Sequence, residues 1–439
     1  MEFNARSAAL EALERCTKSG AWSGAAIDNV IKRSALEGRE AALASRLCLG
    51  VLQNMDYCDF CISKFYNKPV DKLESKVLNI LRLGVYQLLF LDKIPARAAV
   101  NETVELCRQC GCGRASGLVN AIMRKVAERS EPYPTVPNHG SAEHLATRYS
   151  HPIWLVKRII DLHGYEFAEN YLAKNNGISK LSIQINRLKV STEDYLKALE
   201  RKEIPFKLID GLDGCVILEG GRVNSLPGFE EGLFYVQDPA ARMAVEAAGV
   251  KPGMNVLDAC SAPGGKSMAA AINMNNTGSI TSCDIHEKKL SLIKSSAERL
   301  GIDIINCKAR DAREDDAELH DSFDVIIADV PCSGLGVIGK KPEIRNKNEA
   351  ELKGLPAIQK DILNNLSRFV KPGGTLLYST CTIFPEENEE IVEDFLKSNT
   401  EFYAEDFVVG PVSSVNGMYT FWPNVDDTDG FFAAKLRRK

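Results

Sequence analysis

From Gly232 onward the chain repeats one pattern: a short apolar run, a polar or small-residue end, then a helical segment. The runs are Val256-Leu257, Ile280-Thr281, Ile304-Ile305, Val325-Ile326-Ile327 and Leu376-Leu377-Tyr378. Buried parallel strands joined by right-handed crossovers carry this signature, so the spacing predicts a doubly wound α/β domain of about 200 residues. In such a sheet, ligands bind beyond the carboxyl ends of the strands, and the segments that follow them should hold the chemistry. Near the C-terminus, 418–422 and 431–436 predict an antiparallel edge pair, with Asp426-Asp427-Thr428-Asp429-Gly430 as its turn.

The first such segment is Asp258-Ala259-Cys260-Ser261-Ala262-Pro263-Gly264-Gly265-Lys266-Ser267. Its two glycines lie between strand and helix, where backbone can approach a ligand and helix-terminal N–H groups can meet an anionic group. The order is neither Gly-x-Gly-x-x-Gly nor Gly-x-x-x-x-Gly-Lys-[Ser/Thr], which weakens dinucleotide and triphosphate readings. Asp284 stands 19 residues after Gly265, the interval at which a carboxylate meets ribose hydroxyls. Asp311 follows the third strand, as a candidate partner for an adenine amino group, and Asp329 follows the fourth. Singly, each acid is most simply a cap or loop residue. Four at successive strand ends, Asp258 included, fit an adenosine with a charged tail and no pyrophosphate, which is S-adenosylmethionine. Lys266 alone reads as a first-turn surface lysine; its functional alternative is to neutralise an anion or polarise the substrate in the cleft.

Thirteen cysteines in a chain of this length imply reduced thiols rather than a secreted disulfide framework. Cys58-x-x-Cys61 and Cys107-x-x-Cys110-x-Cys112 have zinc-like spacing, yet Cys107 continues the helical face of Val100 and Val104. A packed helical core without metal is the simpler expectation. Cys260, Cys283 and Cys307 fit packing as well. Cys332, in Asp329-Val330-Pro331-Cys332-Ser333-Gly334, and Cys381, in Tyr378-Ser379-Thr380-Cys381-Thr382, differ because both follow apolar strands in small-residue loops beside the cofactor region. A thiolate beside a methyl donor suits alkylation of a pyrimidine C5, a carbon that becomes nucleophilic only after a soft nucleophile adds at C6.

Upstream, residues 1–128 read as helices, at 8–16, 41–53, 72–91, 98–110 and 117–128, with apolar spacings of three and four. They hold 18 Lys and Arg against 14 Asp and Glu, or +4, which leaves −9 of the net −5 for the remainder. Local contact with nucleic acid fits that balance, as does an ordinary solvated surface. A proline-rich stretch follows, and 129–141 is expected to be a linker. Residues 142–232 mix helices at 154–162, 165–173 and 193–201 with strands at 181–186 and 215–219, an α+β module better suited to a substrate platform than to a second active site. The methyltransferase-like domain then runs over 233–439. The start has no apolar signal core, and the most apolar run, 77–91, is too short to span a bilayer, so a cytoplasmic chain with no membrane partner is expected.

Two resemblances sharpen these expectations. Arg97-Ala98-Ala99-Val100-Asn101-Glu102-Thr103-Val104-Glu105-Leu106, with Gly117-Leu118-Val119-Asn120-Ala121, resembles the RNA-binding antitermination factor NusB. The 258–267 loop, the Pro-Cys and Thr-Cys segments and Pro385-Glu386-Glu387-Asn388-Glu389 resemble the RNA cytosine-C5 methyltransferase family, as do His151-Pro152-x-Trp154 and Val236-Gln237-Asp238-Pro239-Ala240. The likeness implies an all-α NusB-like bundle, a small α+β platform and a Rossmann-like α/β methyltransferase domain of class I. It implies methyl transfer from S-adenosylmethionine, without a metal, to cytosine 967 of 16S ribosomal RNA, with no obligate protein partner. It makes Cys381 the nucleophile on C6 and Cys332 the residue that assists product release. Asp329 and Lys266 complete the catalytic set, and Cys260, Ser261, Ala262, Pro263, Gly264, Gly265, Lys266, Asp284, Asp311 and Asp329 bind the cofactor. Gln184 stands where the family usually has arginine, which puts one RNA contact in doubt, and Lys289 stands where many members carry arginine near the cofactor. Exchanged cysteine roles, as in DNA cytosine methyltransferases, another RNA target and a non-catalytic assembly factor are the alternatives.

Overall fold

The computed structural model describes residues 4–128, 135–219, 223 and 226–439. Contacts divide the chain into two compact units, Met1–Ile178 with Ile338–Glu349, and Ser179–Val337 with Ala350–Lys439.

The first unit is helical throughout. Its helices Ala5–Ser19, Gly38–Gln53, Ser75–Phe90, Ala96–Gln109 and Ser116–Ala127 fall where the apolar spacing predicts them. Asn4 opens the first, its side chain accepting from the N–H groups of Arg6 and Ser7 while Ser7 Oγ accepts from its own N–H. Met55–Ser63 and Ser23–Arg33 are helices outside the spans named from the sequence, and the first carries the cysteines Cys58 and Cys61. Both are fully buried, and Tyr57, Cys58, Cys61 and Ile62 form the inward face of that helix. No cluster of three or more His, Cys, Asp or Glu able to hold a metal occurs among the described residues. None of the described helices is long and apolar enough to cross a membrane. Of the expected linker, 129–134 lies outside the described residues, while Val136 is buried in this unit's core and Ser141 caps the helix Ala142–Tyr149. That helix, with Ile153–His163 and Tyr165–Asn175, falls in the first unit by its contacts, although the sequence groups it with the platform.

Ile338–Glu349 is held in the first unit by Arg345, which is buried. Its Nη1 donates to the carbonyls of Gln53, Ser150 at 2.8 Å and Tyr149 at 3.1 Å, and Nη2 donates to Asn176 Oδ1 at 2.6 Å. Burial pulls this guanidinium down to about 9, against the attraction of Asp56. Nearby, Ser23 Oγ donates to Glu343 at 2.7 Å and Gln53 Nε2 to the Gly339 carbonyl at 2.8 Å.

The second unit carries two main sheets. Strands β1 (Leu181–Ile185), β2 (Phe206–Leu208), β3 (Cys215–Leu218) and β4 (Phe234–Val236) pair antiparallel in the order β2-β3-β1-β4. The helix Thr192–Arg201 between β1 and β2 is capped by Ser191, whose side chain accepts from the Asp194 N–H. Gln184 on β1 is buried, its Nε2 donating to Cys215 Sγ and the Gln237 carbonyl, both at 3.2 Å.

The larger sheet comprises β5 (Asn255–Asp258), β6 (Ser279–Asp284), β7 (Ile305–Ala309), β8 (Phe323–Asp329), β9 (Val370–Thr380), β10 (Phe402–Ala404), β13 (Met418–Phe421) and β14 (Phe431–Arg438); β11 (Val408–Val409) and β12 (Val412–Ser413) pair separately. Its order is β10-β14-β9-β8-β5-β6-β7, with β5 to β9 parallel and β13 added on β14. Alternate residues feed different cores: Val325 and Ile327 enter one apolar cluster, Ile326 and Ala328 the other. Burial on both faces is why these strands read as continuous apolar runs. The expected hairpin of β13 and β14 is present, but β14 is no edge. It lies between β9 and β10, antiparallel to both, and Phe431-Phe432-Ala433-Ala434 is buried throughout.

Arg345→Ala strips the donor from four oxygens of a buried cluster. It should lower the stability of the first unit by about 2–4 kcal/mol, seen as lost hydrogen-exchange protection in Gly38–Gln53 and Ala142–Tyr149.

Candidate active site

Strand order reverses at β5, and the segments beyond β5, β6, β8 and β9 gather at that switch point. The loop after β5 is pinned to β6: the Ser261 N–H and Oγ both donate to the Cys283 carbonyl, at 2.7 and 2.9 Å. It contains a cis Ala262-Pro263 bond and turns into the helix Gly265–Asn273 at Gly264, whose φ of +108° suits only glycine. A Cβ there would also press on Ile293 at 3.2 Å.

Beside this loop lies a cleft of about 310 Å³. Cys260, Ala262, Asp284, Asp311 and Asp329 line it, whereas Ser261, Pro263, Gly264, Gly265 and Lys266 do not. Asp284 Oδ1 accepts the His286 N–H at 2.8 Å. Asp311 is gripped by Arg313, with Nη2 on Oδ2 at 2.6 Å and Nε on Oδ1 at 3.0 Å, and these bonds hold its carboxyl below the usual range. Lys289 also lines the cleft. Ile285, Ile358 and Ile362 supply apolar walls, and the last two come from the helix Leu355–Ser367, for which the sequence offered no role.

Asp258 differs from the other strand-end acids. It is fully buried, outside the cleft lining, and its Oδ2 accepts from Ser267 Oγ at 2.6 Å, which in turn meets Ser282 Oγ at 2.7 Å. Its Oδ1 has no hydrogen-bond partner among the described residues. Burial pushes this carboxyl up to about 7, against the Ser267 hydrogen bond and the charge of Lys266. Asp258 therefore anchors the loop from beneath and does not complete a set of four at the ligand.

The two thiols meet. β8 and β9 are in register with Asp329 opposite Ser379, and the loops that follow bring Cys332 Sγ to 3.2 Å from Cys381 Sγ. The Cys381 N–H points to Cys332 Sγ at 3.3 Å, Ser333 Oγ meets Thr382 Oγ1 at 2.6 Å, and the Gly336 N–H donates to the Cys381 carbonyl at 3.0 Å. Asn388 fixes the Cys381 loop on both sides, accepting from Thr380 Oγ1 at 2.6 Å and donating to the Thr382 carbonyl at 3.2 Å. Lys266 is no surface lysine: its side chain is 11% exposed, and Nζ lies 2.7 Å from Asp329 Oδ2 and 4.9 Å from the Phe431 ring centre. Burial opposes its charge, but Asp329 outweighs burial and raises the ammonium's pKa. Ser379 Oγ donates to Asp329 Oδ1 at 3.0 Å, so Asp329 is fixed from two sides.

This sheet order, with its antiparallel β14 and a nucleoside-sized cleft at the switch point, defines a class I methyltransferase domain. Family models match the chain in three segments: 16S rRNA methyltransferase RsmB/F over 248–437, the NusB family over 3–128, and the ferredoxin-like domain of RsmF/B-like methyltransferases over 151–224. The chain belongs to the ribosomal RNA small subunit methyltransferase B family. It is 35% identical to the probable ribosomal RNA small subunit methyltransferase B of Bacillus subtilis strain 168, over 99% of this chain and 98% of that protein. The crystal structure of PH0851 aligns with a TM-score of 0.82 at 26% identity, covering 99% of this chain and 98% of that one. A methyltransferase homolog protein from Pyrococcus horikoshii aligns with a TM-score of 0.60 at 28% identity, covering 67% and 98%.

The raised Asp258 pKa carries a sign that can be checked. The folded state binds this proton more tightly than the unfolded chain does, so stability falls as pH rises from about 4 to about 7. Asp258→Asn removes that loss: its unfolding midpoint relative to wild type should rise between pH 5 and pH 8 and level off above.

Proposed function

We propose that this chain transfers a methyl group from S-adenosylmethionine to C5 of a cytosine in 16S ribosomal RNA, cytosine 967 by resemblance to the family, through a covalent adduct of Cys381 at C6. The observation that carries this reading is the thiol pair, 3.2 Å apart, with Cys332 next in sequence to Pro331 of a cleft walled by carboxylates and isoleucines. The residues fit the cofactor: Asp284 would hold the ribose hydroxyls, Asp311 would accept from the adenine amino group, and the isoleucines would flank the adenine. When bound, S-adenosylmethionine supplies an electrophilic methyl on a sulfonium.

The chain does the rest. A cytosine flipped out of its stack meets the Cys381 thiolate, which adds to C6 and places the C5–C6 electron pair at C5. C5 takes the methyl group, its proton passes to solvent, and the C6–S bond breaks to return the Cys381 thiolate. Cys332, a thiol in contact with that sulfur, keeps its proton and donates an S–H hydrogen bond that stabilises the departing thiolate. Asp329, fixed by Lys266 and Ser379, receives the polar edge of the base. The Cys332 thiol is pushed well above its ordinary pKa, first by its hydrogen bond with Cys381 and then by burial; the choice of Cys381 as the nucleophile over the exchanged roles of the DNA enzymes rests on its Thr-Cys segment, which resembles that of the RNA family. The target is tested by mapping bisulfite-resistant cytosines in RNA from cells with and without the gene. Loss of no site would refute the reading.

Cys381→Ala should abolish methyl transfer and leave cofactor affinity nearly intact, measured by single-turnover assay and calorimetry. Cys332→Ala should accumulate a covalent protein–RNA species carrying methylated cytosine on denaturing gels. Asp284→Ala should weaken S-adenosylmethionine binding by about 1.5–3 kcal/mol through lost charge-assisted hydrogen bonds; unchanged affinity would place the ribose elsewhere.

A further inference from the structure

Two thiols 3.2 Å apart share one environment, yet the proposed chemistry needs them unequal, one a thiolate and the other a hydrogen-bond donor. The inequality has a source outside the cleft. Glu387 is 3% exposed, and its Oε2 accepts the Ser333 N–H and Gln359 Nε2, both at 2.9 Å. Gln359 Nε2 also donates to the Pro331 carbonyl at 3.0 Å. Glu387 thus grips the peptide units on both sides of Cys332, directly at Ser333 and through Gln359 at Pro331. Its own backbone carbonyl accepts from Tyr378 Oη at 2.6 Å, which fixes the 3₁₀ turn Pro385–Glu387 against β9.

We infer that Glu387 is a positioning residue that keeps the shared proton on Cys332 and so leaves Cys381 as the reactive thiolate. The inference rests on the nucleophile assigned above. A buried negative charge beside Cys332 disfavours a second negative charge there, while the Lys266 ammonium interacts with Cys381. Cys332 interacts electrostatically with Cys381, Glu387, Asp329 and Tyr378. Their combined influence with burial is to raise the Cys332 pKa, led by the Cys381 hydrogen bond. Asn388 grips the Cys381 loop, so neighbouring residues of one motif bond to the loops of different thiols.

The experiment is alkylation of the full-length protein by iodoacetamide across pH, without RNA, with Cys332 and Cys381 peptides quantified separately by mass spectrometry. In the wild type, Cys381 should react first at neutral pH and Cys332 only in more alkaline solution; the reverse order overturns the inference. Glu387→Gln retains a hydrogen-bond acceptor for Ser333 and removes the charge, and it should narrow the reactivity gap by about tenfold, one unit of relative acidity. Glu387→Asp retains the charge and loosens the geometry, and it should keep the gap within about threefold. An unchanged gap in Glu387→Gln, or equal narrowing in both variants, contradicts an electrostatic role. Because no RNA is present, the result is independent of whether Cys381→Ala still methylates, which tests the nucleophile itself.

Discussion

Parallel pairing of β8 with β9 is the constraint on which the site depends. The register sets Asp329 opposite Ser379, so the two strands end together and the loops beyond them leave the sheet side by side. Everything at the reacting end follows from that adjacency: the contact of the thiols, the Ser333–Thr382 bond between the loops, and the fixing of Asp329 by Ser379 and Lys266. A slip of one residue would turn every side chain of one strand to the other face and break the arrangement. Burial of both faces resists such a slip, because alternate residues of β8 are committed to two different cores.

Polar groups beneath the loops do for precision what the sheet does for placement. Glu387, Asn388, Gln359, Ser379 and Thr380 are all buried, and each bonds to a residue in or beside a cysteine loop. A buried polar group is costly unless bonded, and these bonds hold only when both loops take one conformation. The network therefore selects the conformation in which the thiols touch. Asp258 plays the corresponding part under the cofactor loop, at an evident cost, since one of its oxygens is left without a partner among the described residues.

Much of this was legible in the chain because it depends on local order. The alternation of apolar run and helix specified the sheet, the interval from Gly265 to Asp284 pointed to an acid that lines the cleft, and the small residues around Cys332 and Cys381 marked them out among thirteen cysteines. What escaped depends on partners distant in sequence. Asp258 looks like the other strand-end acids until its burial is seen, and Lys266 looks like a surface lysine until Asp329 and Phe431 are found around it. β14 reads as one arm of an edge hairpin, yet its far side is taken by β9, which ends some 50 residues earlier. Glu387 belongs to a recognisable motif, but its task at Ser333 spans 54 positions and no local pattern encodes it.

The central claim is that the thiol of Cys381, and not that of Cys332, forms the bond to the base. RNA carrying 5-fluorocytosine at the target position tests it directly, since the fluorine at C5 cannot leave as a proton does and the adduct stays closed after methyl transfer. Digestion of the trapped complex and mass spectrometry identify the peptide that carries the nucleotide. The account expects the modified cytosine on Cys381 and on no other cysteine; a nucleotide attached to Cys332 would contradict it.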